Sequence, residues 1–61
     1  MALPKDPFML LSYVNTQLRD NFQSPEELAK SLGEDESAIR GTLEKAGFIY
    51  DESLNRFVSQ Q

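Results

Sequence analysis

The chain has no cysteine and no histidine. The first absence removes disulfides and thiolate chemistry, the second removes the usual general base, and together they remove most zinc sites. Lack of cysteine also fits a reducing compartment. No apolar run approaches the roughly 18 residues needed to span a bilayer. The start of the chain lacks the basic, apolar, small-residue order of a signal peptide, so the expected location is the cytoplasm. Cations are scarce as well: six Lys and Arg stand against ten Asp and Glu, for a net charge of −4. That balance favours solubility and disfavours polyanionic partners. Size sets a further limit, because 61 residues make one domain, 1–61. A chain this short buries only about 60% of its unfolded surface and leaves little volume for a pocket.

What is present is punctuated for helices. Asp6-Pro7 is a start signal, in which the Asp caps free N–H groups and the Pro takes the first helical position. The first helix is expected over about 7–21. Wound at 100° per residue, Leu11, Val14, Leu18 and Phe22 form one apolar stripe, with Phe8 at its edge. Ser24-Pro25-Glu26-Glu27 reads as a capping box that opens a second helix over about 25–32, with Leu28, Ala29 and Leu32 inward and Gly33 as its stop. Asp35 caps a third helix over about 36–46, on which Ile39, Leu43 and Ala46 recur at helical spacing before Gly47.

Phe48-Ile49-Tyr50 and Arg56-Phe57-Val58 then alternate as strands around a five-residue connection that ends in Asn55. This suits a hairpin over about 48–58 with one left-handed residue. Phe48, Tyr50 and Phe57 are its anchors against the helices, since two strands alone are marginal in water. The expected fold is mainly α: a three-helix, helix-turn-helix-like domain with a short C-terminal β-hairpin as a minimal wing.

Three blocks resemble one family. They are Leu3-Pro4-Lys5-Asp6-Pro7, the run Leu10-Leu11-Ser12-x-Val14-Asn15-x-x-Leu18-Arg19-Asp20, and Gly47-Phe48-x-Tyr50-Asp51-Glu52-x-x-Asn55-x-Phe57. The chain is similar across nearly its whole length to a family of small bacterial proteins catalogued as a domain of unknown function, series number forty-two fifty. The resemblance implies a stand-alone bacterial protein and carries over no activity or site. A second resemblance is to the general helix-turn-helix pattern, met by Ala29, Gly33 and Ile39. Glu34 and Thr42 depart from it, standing where aliphatic side chains are usual.

A helix-turn-helix shape invites a nucleic-acid reading, with Arg40, Lys45 and Arg56 as the cations that would meet phosphate. The charge runs against it. Residues 24–47 carry three cations against six carboxylates, and Glu34 and Asp35 stand at the end of the third helix that would enter a groove. Catalysis lacks its parts: Ser12, Ser24 and Ser37 have no histidine to activate them, and the dense carboxylates sit at helix starts, where dipole and capping account for them. Neither a calcium loop nor a phosphate-cradling glycine pattern occurs, so no metal, cofactor or catalytic residue is expected.

The remaining class is a non-catalytic module that binds a protein partner or a second copy of itself. Leu10 and Tyr13, with Met9, lie on the side of the first helix away from its stripe and, with Gln17, offer one surface. Ser37, Gly41 and Glu44 offer a flat strip on the third helix. Asn15 falls inside the apolar arc and is expected to be a buried polar residue tying the first helix to backbone near the Gly33 turn or the hairpin. A winged-helix-like nucleic-acid-binding regulator is the alternative.

Overall fold

A computed structural model describes residues 3–60. Helix α1 spans Pro7–Asp20, α2 Pro25–Leu32 and α3 Glu36–Lys45; strands β1, Phe48–Asp51, and β2, Arg56–Ser59, form an antiparallel hairpin. The expected three helices and hairpin are all present, with ends within a residue of those read from the sequence.

The boundaries follow from capping chemistry. The Asp6 carboxylate accepts from the Phe8 N–H at 2.8 Å, and Pro7 occupies a position where no donor is needed. Ser24 Oγ accepts from the Glu27 N–H at 3.2 Å, while the Glu27 carboxylate reaches past the cap to the Gln23 N–H at 3.1 Å. Gly33 turns left-handed at φ 69°, which lets the Glu34 N–H close back on the Ala29 carbonyl at 2.9 Å and ends α2. Asp35 accepts from the Ser37 N–H at 3.1 Å and opens α3. The α2–turn–α3 unit keeps Ala29 and Ile39 buried, as the helix-turn-helix pattern requires. Glu34 points to solvent, so the missing aliphatic side chain there leaves no charge in the core.

The core is one cluster: Leu10, Val14 and Leu18 from α1, Leu28 and Ala29 from α2, Ile39 and Leu43 from α3, and Phe57 from β2. Its α1 face corrects the stripe read from the sequence. Leu10 is buried, and Tyr13 packs half-buried against the cluster, whereas Leu11 and Phe22 lie on its flank. Phe8 is 66% exposed and rests edge-on against Phe48, with ring centroids 5.9 Å apart. The reason is that α1 packs against α2, α3 and β2 together. A helix enclosed on three sides buries a wide arc, here running from Tyr13 and Leu10 through Val14 to Leu11 and Asn15. Met9 remains exposed. No helix among the described residues is long and apolar enough to cross a membrane.

Candidate functional site

Two asparagines join α1 to the hairpin. Asn15 Oδ1 accepts from the Phe57 N–H at 2.8 Å, and its Nδ2 donates to the Phe57 carbonyl at 3.0 Å, so one side chain occupies the outer edge of β2. Asn15 thus ties helix to hairpin as expected, half-buried at the rim of the core and not enclosed within it. Asn55 sits at the end of the hairpin turn with φ 51°, a left-handed conformation that asparagine tolerates better than most residues. Its Nδ2 donates to the carbonyls of Leu18 and Phe22, both at 3.1 Å, and its Oδ1 accepts the Tyr50 hydroxyl at 2.6 Å. It therefore satisfies the Leu18 carbonyl in the last turn of α1, where carbonyls lack a partner within the helix, and the Phe22 carbonyl just past the helix end. The sequence showed Asn55 only as a turn residue; a lone asparagine gives no sign of which distant carbonyls it will reach.

Beside this junction runs a groove of ≈ 620 Å³. Asn15 and Asn55 contribute to its lining, Ser12, Thr16 and Arg19 come from α1, and Leu54 and Arg56 from the hairpin. The lining contains two guanidinium groups, two hydroxyls and an exposed leucine, and no carboxylate. Arg19 is braced by its neighbour: Nε and Nη2 donate to the two oxygens of Asp20 at 2.9 and 3.0 Å. That hydrogen-bonded pair raises the guanidinium pKa and lowers that of the Asp20 carboxyl, on a surface where solvent screens the attraction. Arg56 is exposed and stands across the ladder from Asp51. The Asp51 carboxyl is held below its ordinary range, first by the Ser53 hydroxyl at 2.6 Å and further by the Leu54 and Ser53 N–H groups and by Arg56.

Arg40 belongs to a different place. Its Nε donates to Glu36 Oε2 at 2.7 Å, and its guanidinium lies over the Tyr50 ring, 5.2 Å from the centroid. Burial raises the Tyr50 pKa first and Glu52 adds to it, while Arg40 opposes both. Arg40 and Tyr50 line a second groove of ≈ 500 Å³ together with Glu26 and Glu52. Arg40 and Arg56 thus serve separate concavities, and Lys45 is exposed in the last turn of α3.

The other surface residues read from the sequence fare unevenly. Leu10 is withdrawn into the core and offers no contact surface, and Tyr13 is half-buried, because the enclosing elements take up that face of α1. Gln17 is half-buried, and its side-chain oxygen accepts from Asn21 at 2.9 Å. Ser37 and Glu44 are exposed and Gly41 half-buried between them, so the α3 strip is open.

No curated protein and no solved structure matches the chain. The profile described as Domain of unknown function (DUF4250) matches residues 4–57, a span that contains all three helices, β1 and the Asn15–Phe57 and Asn55 junctions. By that match the chain belongs to the DUF4250 family.

Proposed function

We propose that the protein is a non-catalytic binding module whose groove between α1 and the hairpin takes an acidic segment of a protein partner. One observation carries this reading: in a chain of net charge −4, the groove between α1 and the hairpin is lined by Arg19 and Arg56 and by no carboxylate. The Arg56 guanidinium fork matches carboxylate geometry, Arg19 adds the N–H groups it does not give to Asp20, and the Ser12 and Thr16 hydroxyls add donors. Leu54, 58% exposed at the hairpin tip, supplies an apolar contact for a side chain of the bound segment. Because the arginines are exposed and screened, such binding is weak and sensitive to salt.

The winged-helix nucleic-acid reading would use Arg40, Lys45 and Arg56. Arg40 is committed to Glu36 and Tyr50 and sits among Glu26 and Glu52, which weighs against a duplex phosphate run along α3. The open Ser37–Gly41–Glu44 strip is a second protein-facing surface, but it offers no group that selects a partner's chemistry.

Amide NMR shifts of the labelled protein separate these readings. The probes are a short Asp/Glu-rich peptide with one leucine, its lysine counterpart and a DNA duplex, each at low and physiological salt. The acidic peptide is expected to shift Ser12, Thr16, Leu54 and Arg56, and the double variant Arg19→Glu, Arg56→Glu to abolish the response. Silence at millimolar peptide overturns the reading. A stronger response to the duplex, centred on α3, replaces it with the nucleic-acid one.

A further inference from the structure

The two edges of the hairpin are not equivalent. Tyr50 stands opposite Phe57 and Phe48 opposite Ser59. Phe57 gives both its N–H and its C=O to Asn15, so these groups point away from β1. In an antiparallel ladder the residue facing such a position also turns its two main-chain groups outward. The Gln60 N–H donating to the Gly47 carbonyl at 2.9 Å sets the same alternation from the other end. Phe48 and Tyr50 therefore present two N–H and two C=O groups along the outer edge of β1. Asn15 covers the β2 edge at Phe57. The β1 edge carries no lysine, no proline and no bulge; its shortness and the charge of Asp51 at its end are the restraints on strand addition that it does have. Ile49, between the two presenting residues, is 38% exposed.

We infer that this edge pairs with the same edge of a second copy of the chain, antiparallel about a twofold axis at Ile49. In that register Phe48 of each copy stands opposite Tyr50 of the other, and the four outward groups of each strand are satisfied together. Ile49 meets Ile49 as a close, non-hydrogen-bonded pair on the outer face, an apolar cross-strand contact of the stabilising kind. Asp51 falls opposite Gly47, so no like charges meet. The neighbouring register, centred on Tyr50, sets Ile49 against Asp51 and Phe48 against Glu52, and so the sequence itself selects the first. The contact is isologous and closed, and it turns a marginal two-stranded sheet into a four-stranded one. β1 is only four residues long, which keeps the interface small and the pairing weak. It involves the opposite edge of the hairpin from the groove and does not depend on that groove's role.

Sedimentation equilibrium from tens of micromolar to about one millimolar tests the pairing. The full chain is expected to dimerise, and Ile49→Lys to weaken the dimer at least about tenfold by setting like charges across the axis. Circular dichroism and melting temperature check that the variant keeps its fold. Because residue 49 faces itself, mixing Ile49→Lys with Ile49→Glu is expected to restore association that neither variant shows alone. A wild-type chain monomeric at one millimolar overturns the inference. So does a dimer indifferent to Ile49→Lys, or a mixture that stays monomeric.

Discussion

The side-chain amide of Asn15 meets both main-chain groups of Phe57, 42 positions away, and holds the second strand of the hairpin against the first helix. Phe57 is itself 1% exposed, so this amide fixes the most deeply buried aromatic residue through its backbone. Asn15→Ala leaves a part-buried N–H and C=O without partners, at a cost of about 1–3 kcal/mol. Gln17→Ala, two positions on, removes only a surface contact to Asn21 and stays within about 0.5 kcal/mol. Thermal unfolding of the two variants checks this; at roughly 4–8 °C per kcal/mol for a domain of this size, the difference is readily resolved. Equal melting temperatures would remove Asn15 from the account of the fold.

Asn55 combines an unusual backbone with three side-chain hydrogen bonds, and two substitutions separate these contributions. Asn55→Gly keeps the left-handed turn at ease and removes the bonds to Leu18, Phe22 and Tyr50. Asn55→Ala removes the same bonds and adds the strain of a Cβ at positive φ, about 1 kcal/mol more. Chemical denaturation is expected to rank them wild type, glycine, alanine in falling stability. An alanine variant as stable as the glycine one would show that the turn relaxes its dihedral freely.

Gly41 and Gly33 predict opposite outcomes for the same substitution. A Cβ built at either meets nothing within 4 Å, but Gly33 has φ 69° whereas Gly41 lies in regular helix. Gly41→Ala is expected to stabilise by about 0.5–1 kcal/mol through helix propensity and a smaller unfolded ensemble. Gly33→Ala is expected to destabilise by a similar or larger amount, since L-residues resist that conformation. Urea midpoints of the two variants decide, and a shift of both in one direction contradicts this account.

How far the sequence discloses this molecule depends on the reach of each interaction. Asp6, Ser24, Gly33 and Asp35 act within a few residues, so helix starts and stops could be read directly. The inward face of α1 depends on how many elements enclose it, which local periodicity does not carry; hence periodicity alone sets Leu10 outward and Phe8 at the edge of the stripe. Asn15 was recognisable because an amide within an apolar arc requires a partner. Asn55 was not, because the carbonyls it reaches, those of Leu18 and Phe22, lie more than thirty positions away along the chain. The groove depends on Arg19 and Arg56 being brought together by those same asparagines, and no spacing in the sequence announces it.

The Asp51 carboxylate ties acid stability to the hairpin turn. Its folded-state pKa lies below the ordinary 3.8, chiefly because the Ser53 hydroxyl donates to it, with help from two backbone N–H groups and Arg56. A carboxyl depressed on folding contributes stability that is fully present above its unfolded pKa and is lost as pH falls through its folded value. The loss therefore begins near pH 5 and continues below 3.8, while neutral pH leaves it intact. Asp51→Asn is expected to lower stability at pH 7 and to flatten the decline between pH 5 and 3, because the substituted amide does not titrate. Ser53→Ala removes the largest cause of the shift and should flatten the same slope in part. Melting temperatures across that pH range, measured at constant ionic strength, provide the check: parallel curves for wild type and Asp51→Asn would mean that other carboxylates, Asp20 beside Arg19 first among them, govern the acid limb.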